Sequence, residues 1–134
     1  MSGGGTAARV DDVAAALGCS PRRLRQLREA GQLVPMGRGL IDEVHARWAF
    51  AGLRVLRQRA APDVDRYTAA AAGFLVSHWA SGVSGPEIAA WTAAAARWGL
   101  SADGASVALM RAARMLGGAC PRIDSTEVVD SCRN

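Results

Sequence analysis

The chain has 134 residues, half of them hydrophobic, and its 16 basic residues are all arginine against 12 acids, for a formal net charge of +4. That length holds one ordinary domain, or a very small domain with an assembly segment, and no apolar run is long enough to cross a bilayer. Three cysteines without paired C-x-x-C spacing and two isolated histidines argue against a disulfide framework or a structural zinc site, and residues 1–6 lack the basic and apolar regions of a signal peptide.

The absence of lysine, together with abundant alanine and glycine, reads first as the base-composition bias of a GC-rich genome. The distribution of charge is more informative than its total. Residues 1–62 hold ten arginines and five acids, a net of +5, whereas residues 63–134 hold six arginines and seven acids, a net of −1. The positive field therefore belongs to the N-terminal half, as expected where that half meets a polyanion. A soluble, cytoplasmic protein is the expectation.

Taken in chain order, the first predicted helix runs from residue 10 or 11 to Leu17. Asp11 and Asp12 sit in its first turn, where acids suit the helix dipole, and Val10, Val13, Ala14 and Leu17 recur on one face. Gly18 ends it, because the tight turn needs a left-handed residue. Ser20 as N-cap and Pro21 at the first helical position open a second helix that stops at Gly31. Leu24 and Leu27 face inward in this helix, leaving Arg22, Arg23, Arg25 and Gln26 for solvent or a ligand. Two short apolar pieces, residues 33–36 and 40–41, flank Gly37-Arg38-Gly39 and read as a minimal β-hairpin.

A third helix is expected over residues 42–59, with Val44, Trp48, Ala51 or Gly52, Val55 and Leu56 inward. Residues 60–65, with Pro62, form the expected linker. Three more helices follow, at about 64–80, from Ser84 to near Gly99, and from Ser101 to Gly117-Gly118. Ser84 and Glu87 have the spacing of a capping box. Val107, Met110, Ala113 or Arg114, and Leu116 form the expected inner face of the last helix. The implied division is 6–60 for a DNA-binding domain, 61–118 for a helical oligomerisation or partner-binding segment, and 119–134 for a flexible tail. Trp79, Trp91 and Trp98 read as core, closing within one chain or between chains, with alanine-rich helices inclining the reading to close packing between subunits.

The spacing within residues 13–27 carries the functional argument. Ala14 stands four residues before Gly18, so two helices cross closely at the turn, and Val13, Leu17, Cys19, Leu24 and Leu27 occupy inward positions. This is the pattern of a helix-turn-helix, whose second helix presents its N-terminal residues to base edges in the major groove. Arg22, Arg25 and Gln26 are the candidate base readers, since arginine donates twice to guanine and glutamine pairs with adenine. Arg23 and Ser20 are placed for phosphate, and Arg28 reads as a solvated or phosphate-facing charge. His45 and His78 have no Cys, Asp or second His at ligand spacing and read as helix-surface or boundary residues. No motif supplies a catalytic nucleophile, a metal set or a cofactor loop, so a non-enzymatic protein without cofactor is expected.

The run Val13-Ala14-Ala15-Ala16-Leu17-Gly18-Cys19-Ser20-Pro21-Arg22-Arg23-Leu24, with Glu29-Ala30-Gly31-Gln32-Leu33-Val34-Pro35 after it, resembles the winged-helix superfamily. That superfamily includes the MerR-type regulators, the phage excisionases and the DNA-binding domain of lambda-type small terminase subunits. The resemblance implies a mainly all-α fold, a winged helix-turn-helix with a minimal β-hairpin wing, followed by an α-helical C-terminal segment. It implies recognition-helix contacts from Arg22 and Arg23, and a wing contact from Arg38 to the minor groove or backbone. MerR regulators carry Arg-x-Tyr after the wing, where this chain has Leu40-Ile41-Asp42, and the chain shows neither a dimerisation coiled coil nor a ligand-binding cysteine pair.

The resulting expectation is a phage or prophage-like DNA-recognition subunit resembling a terminase small subunit, acting in a bacterial host cell. Its expected partners are double-stranded DNA, further copies of itself and a large ATPase-nuclease subunit. The alternatives are an excisionase-like or MerR-like transcriptional regulator, and a protein-interaction adaptor that no longer touches DNA.

Overall fold

The computed structural model describes residues 7–58, 64–78 and 82–117. Its elements run β1 (Ala7–Arg9), α1 (Val10–Leu17), α2 (Pro21–Glu29), β2 (Pro35–Gly37), β3 (Leu40–Asp42), α3 (Glu43–Gln58), α4 (Arg66–Ser77), α5 (Gly85–Arg97) and α6 (Ala102–Leu116). The fold is mainly helical: a winged helix-turn-helix followed by a helical C-terminal part.

Local chemistry explains the first two helices. Gly18 takes a left-handed conformation (φ 72°), and its N–H reaches back to the carbonyls of Ala14 and Ala15, closing α1. Ser20 is extended and its Oγ accepts the Arg23 N–H at 3.1 Å, which starts α2 with Pro21 at the first position. Ala14 is fully buried at the crossing of α1 and α2, beside Val13, Leu24 and Leu27.

The wing is a three-stranded antiparallel sheet of order β1-β3-β2, not the two-stranded hairpin expected. Ala7–Arg9 pairs with β3, placing Arg9 opposite Leu40. A strand of three residues has too few positions to show a period, so only its partner reveals it. β2 is an edge strand, and its register against β3 shifts between Pro35 and Gly37. A proline, having no N–H to give, is tolerated at such an edge.

β3 leads directly into α3. Asp42, fully buried, accepts the His45 N–H on Oδ1 at 2.9 Å and so caps the helix. α3 buries His45, Ala46, Ala49, Gly52 and Leu56, while Val44, Trp48 and Val55 are half-buried. Gly52 and Leu56 lie inward as expected. His45 does not lie at a helix surface: it is fully buried, its Nε2 lies 2.9 Å from the Arg66 carbonyl oxygen, and its ring meets Trp98 edge-on at 4.8 Å. Burial lowers its pKa to about 4, outweighing the hydrogen bond to Arg66 and the charge of Asp42, which both raise it.

α4 lies at the centre of the helical part. Residues from Thr68 to Leu75 are all buried, as expected for a helix apolar around its whole circumference. Asp65 caps it by accepting the N–H groups of Tyr67 and Thr68. α3 and α4 cross at backbone contact: a Cβ at Gly52 would collide with the Ala69 carbonyl, and one at Gly73 with the Trp48 backbone. The alanine-rich faces thus pack within the chain.

α5 starts after Ser84, but Ser84 Oγ donates to the Glu87 carboxylate at 2.8 Å instead of accepting a backbone N–H. α6 is capped by Ser101, whose Oγ accepts the Gly104 N–H at 3.0 Å. Its inner face is Ala105, Ala108, Leu109, Ala112, Ala113 and Leu116, with Val107 exposed and Met110 half-buried. Ala113 and Leu116 face inward as expected, but Val107 and Met110 do not, because the face packed inward runs through Ala105, Ala108, Leu109 and Ala112. Trp48, Phe74, Trp91 and Trp98 form a cluster of edge-on and tilted ring contacts, 5.2 to 6.2 Å between ring centres, and Trp91 Nε1 donates to the Ala105 carbonyl at 3.0 Å. The large aromatic surface closes inside one chain, and Val107 is the one exposed large hydrophobic side chain among the described residues. Residues 60–63 of the expected linker, Trp79 and the tail 119–134 lie outside the described residues. No described helix is long and apolar enough to cross a membrane.

Candidate nucleic-acid interface

α2 presents most of the candidate residues. At about 100° per residue, the buried pair Leu24 and Leu27 defines an inward arc. Arg22, Arg25 and Gln26 occupy the opposite arc and are exposed. Arg23 and Arg28 fall on the two flanks, about 140° apart around the axis, and both are half-buried. The amphipathic register alone thus turns these three polar side chains toward solvent.

Ser20 stands exposed at the start of the helix. Its oxygen is engaged by the Arg23 N–H, which leaves the hydroxyl hydrogen to donate to an anion at the helix N-terminus. Arg25 pairs with Asp11 of α1 at 3.1 Å, both side chains 58% exposed. An ion pair so exposed is worth less than about 1 kcal/mol and exchanges readily for a phosphate or a base edge.

Arg28 has a bracing duty beyond the solvated or phosphate-facing charge expected of it. Its Nη2 donates to the Gly37 carbonyl at 2.9 Å, and its Nε is buried without a partner among the described residues. It braces the wing against α2. The wing tip carries Arg38, exposed between Gly37 and Gly39, whose positive φ values of 128° and 72° allow the tight reversal.

Between α2 and the wing lies a groove of about 450 Å³ lined by Arg9, Val10, Asp11, Arg25, Arg28, Arg38, Gly39 and Leu40. Four guanidiniums against one carboxylate make it strongly positive. It joins Arg25 to Arg38, thirteen positions away in sequence, and adds Arg9, which sequence reasoning missed. The only advance signal for Arg9 was its place directly before the first helix; its role appears once β1 pairs with β3 and brings it beside the wing turn. Arg23 faces the other way. It lines a smaller groove against α3, apart from the wing.

This constellation of an exposed polar helix face with a basic, arginine-tipped wing beside it suits a nucleic-acid duplex: a helix enters a major groove while the wing tracks the adjoining backbone. Residues 4–40 are similar to a family described as "Transcriptional regulator, AbiEi antitoxin". The matched span takes in β1, α1, α2, β2 and the wing turn, and so every candidate residue named above. Neither a curated protein nor a solved structure matches the chain.

Proposed function

We propose that this chain is a non-enzymatic, sequence-reading DNA-binding protein that acts as a transcriptional regulator. The observation that carries the proposal is the exposure of Arg22, Arg25 and Gln26 on one face of α2, backed by buried Leu24 and Leu27 and flanked by the Arg38 wing. Arg22 and Gln26 read base edges; Arg25, released from Asp11, reads or clamps; Arg38 and Arg9 hold the backbone beside the wing. The similarity of residues 4–40 to a regulator family supports this choice among DNA-binding roles.

Selection of duplexes from a random-sequence pool tests the reading. The wild-type chain is expected to enrich a motif containing guanine, and Arg22→Ala to lose about 1–3 kcal/mol of discrimination at one base pair. Enrichment of no motif at all would remove the proposal. The position of the enriched motif separates the regulator from the packaging subunit that the sequence resemblance first suggested. A motif at promoters supports the regulator, and one confined to a phage packaging locus supports the terminase-like role, with its oligomer and large ATPase-nuclease partner.

A further inference from the structure

We propose that α3 carries a second DNA-backbone contact, formed by Arg54 and Arg57 with Arg23, on the side of α2 away from the wing. This assignment rests on the DNA-binding reading above. Arg54 and Arg57 lie outside residues 4–40, the span similar to the regulator family, and outside the contacts that the resemblance implies, which are confined to α2 and the wing.

A groove of about 100 Å³ runs between α2 and α3, lined by Arg23, Leu27, Phe50, Leu53, Arg54 and Arg57. The four α3 residues have the spacing i, i+3, i+4, i+7, which is one helix face. Arg54 and Arg57 are exposed, and Phe50 and Leu53 are half-buried beneath them, an apolar bed for arginine stems whose charged heads reach outward. Among the described residues, no carboxylate lines the groove. By contrast Arg47, two turns earlier on α3, is paired with Glu43 at 2.9 Å.

The position of this cluster selects the partner. Arg23 and Arg28 mark opposite flanks of α2, so the α3 groove and the wing groove straddle the exposed stripe of Arg22, Arg25 and Gln26. A helix about 10–12 Å across fills a major groove about 12 Å wide, with one phosphate backbone on each side. Basic clusters on both flanks of the inserted helix match that arrangement. The wing side meets one strand and the α3 side meets the other.

Fluorescence anisotropy with a mixed-sequence duplex of about 20 base pairs, titrated across a range of salt, tests the contact. Because both arginines are exposed, Arg54→Ala/Arg57→Ala should keep the wild-type circular dichroism. It is expected to bind about 10–100-fold more weakly at low salt and to flatten the slope of log K against log salt by about 2, as for two lost phosphate contacts. The base preference measured on the selected motif should be unchanged, and Arg54→Lys/Arg57→Lys should restore the slope. An unchanged slope and affinity, with Arg22→Ala still relaxing base preference, would overturn the α3 contact and leave the DNA reading intact. Absence of duplex binding by the wild-type chain would remove both. A labelled ten-glutamate peptide that binds the wild type but not the alanine pair, with an unchanged DNA slope, would overturn the contact in favour of an acidic protein partner.

Discussion

Arg25 and Arg28 stand one turn apart on the same helix, yet one is a loosely held charge and the other a brace. The difference comes from what each meets across the turn: an exposed carboxylate for Arg25, a wing carbonyl for Arg28. Asp11→Ala should therefore free Arg25 and remove a like-charged neighbour of DNA, raising duplex affinity a few-fold at low salt with little change in melting temperature. Weaker binding by that variant would show that the pair positions Arg25 productively. His45 makes a separate prediction about stability. Above pH 6.5 the ring is neutral in both folded and unfolded chains. As pH falls, the unfolded chain takes up a proton that the buried ring refuses until about pH 4, so stability declines across that window. Urea unfolding should show a loss of about 2 kcal/mol between pH 7.5 and 5. His45→Gln, able to keep an N–H toward the Arg66 carbonyl, should abolish most of that slope.

Between elements, the tightest joint is the crossing of α3 and α4. Gly52 and Gly73 let the two backbones touch, with no space on either for a methyl group. Gly73→Ala should cost about 3 kcal/mol or more, because relief requires moving a helix rather than a side-chain tip. Chemical denaturation measures this, and a loss below about 1 kcal/mol would show that the crossing yields. The wing is joined to α2 more lightly. Arg28→Ala removes the bond to Gly37 and the guanidinium beneath the wing, and should raise amide exchange in β2 and at the wing turn while leaving α1 protected. Equal protection throughout would deny Arg28 its bracing role.

For the whole molecule, the helix leaving the wing belongs equally to the helical part. Gln32 donates to the Val64 carbonyl, Arg66 to the Leu33 carbonyl, and His45 meets the Arg66 carbonyl, so the start of α4 is tied to the winged module at three points. The Trp48 ring meets Phe74, Trp91 and Trp98 across the same boundary. A fragment ending at residue 60 would expose the Gly52 and Leu56 face of α3. It should lose cooperative thermal unfolding and much of its helical circular dichroism, and bind duplex weakly. A cooperative melt with full-length affinity would make residues 6–60 an independent domain.

The helix-turn-helix was legible from the residues alone because its signals are local. Gly18, Ser20 with Pro21, and Gly37-Arg38-Gly39 each act over four residues or fewer, and the Leu24–Leu27 spacing alone turns Arg22, Arg25 and Gln26 outward. Only the tertiary structure decided the rest: β1 as a third wing strand, the burial of His45, the exposure of Val107 on α6, and the gathering of Arg9, Arg25 and Arg38 on one side of α2 with Arg23, Arg54 and Arg57 on the other. Each of these depends on which residue a distant segment brings opposite, and helical or strand periodicity reports the orientation of a side chain without naming its neighbour.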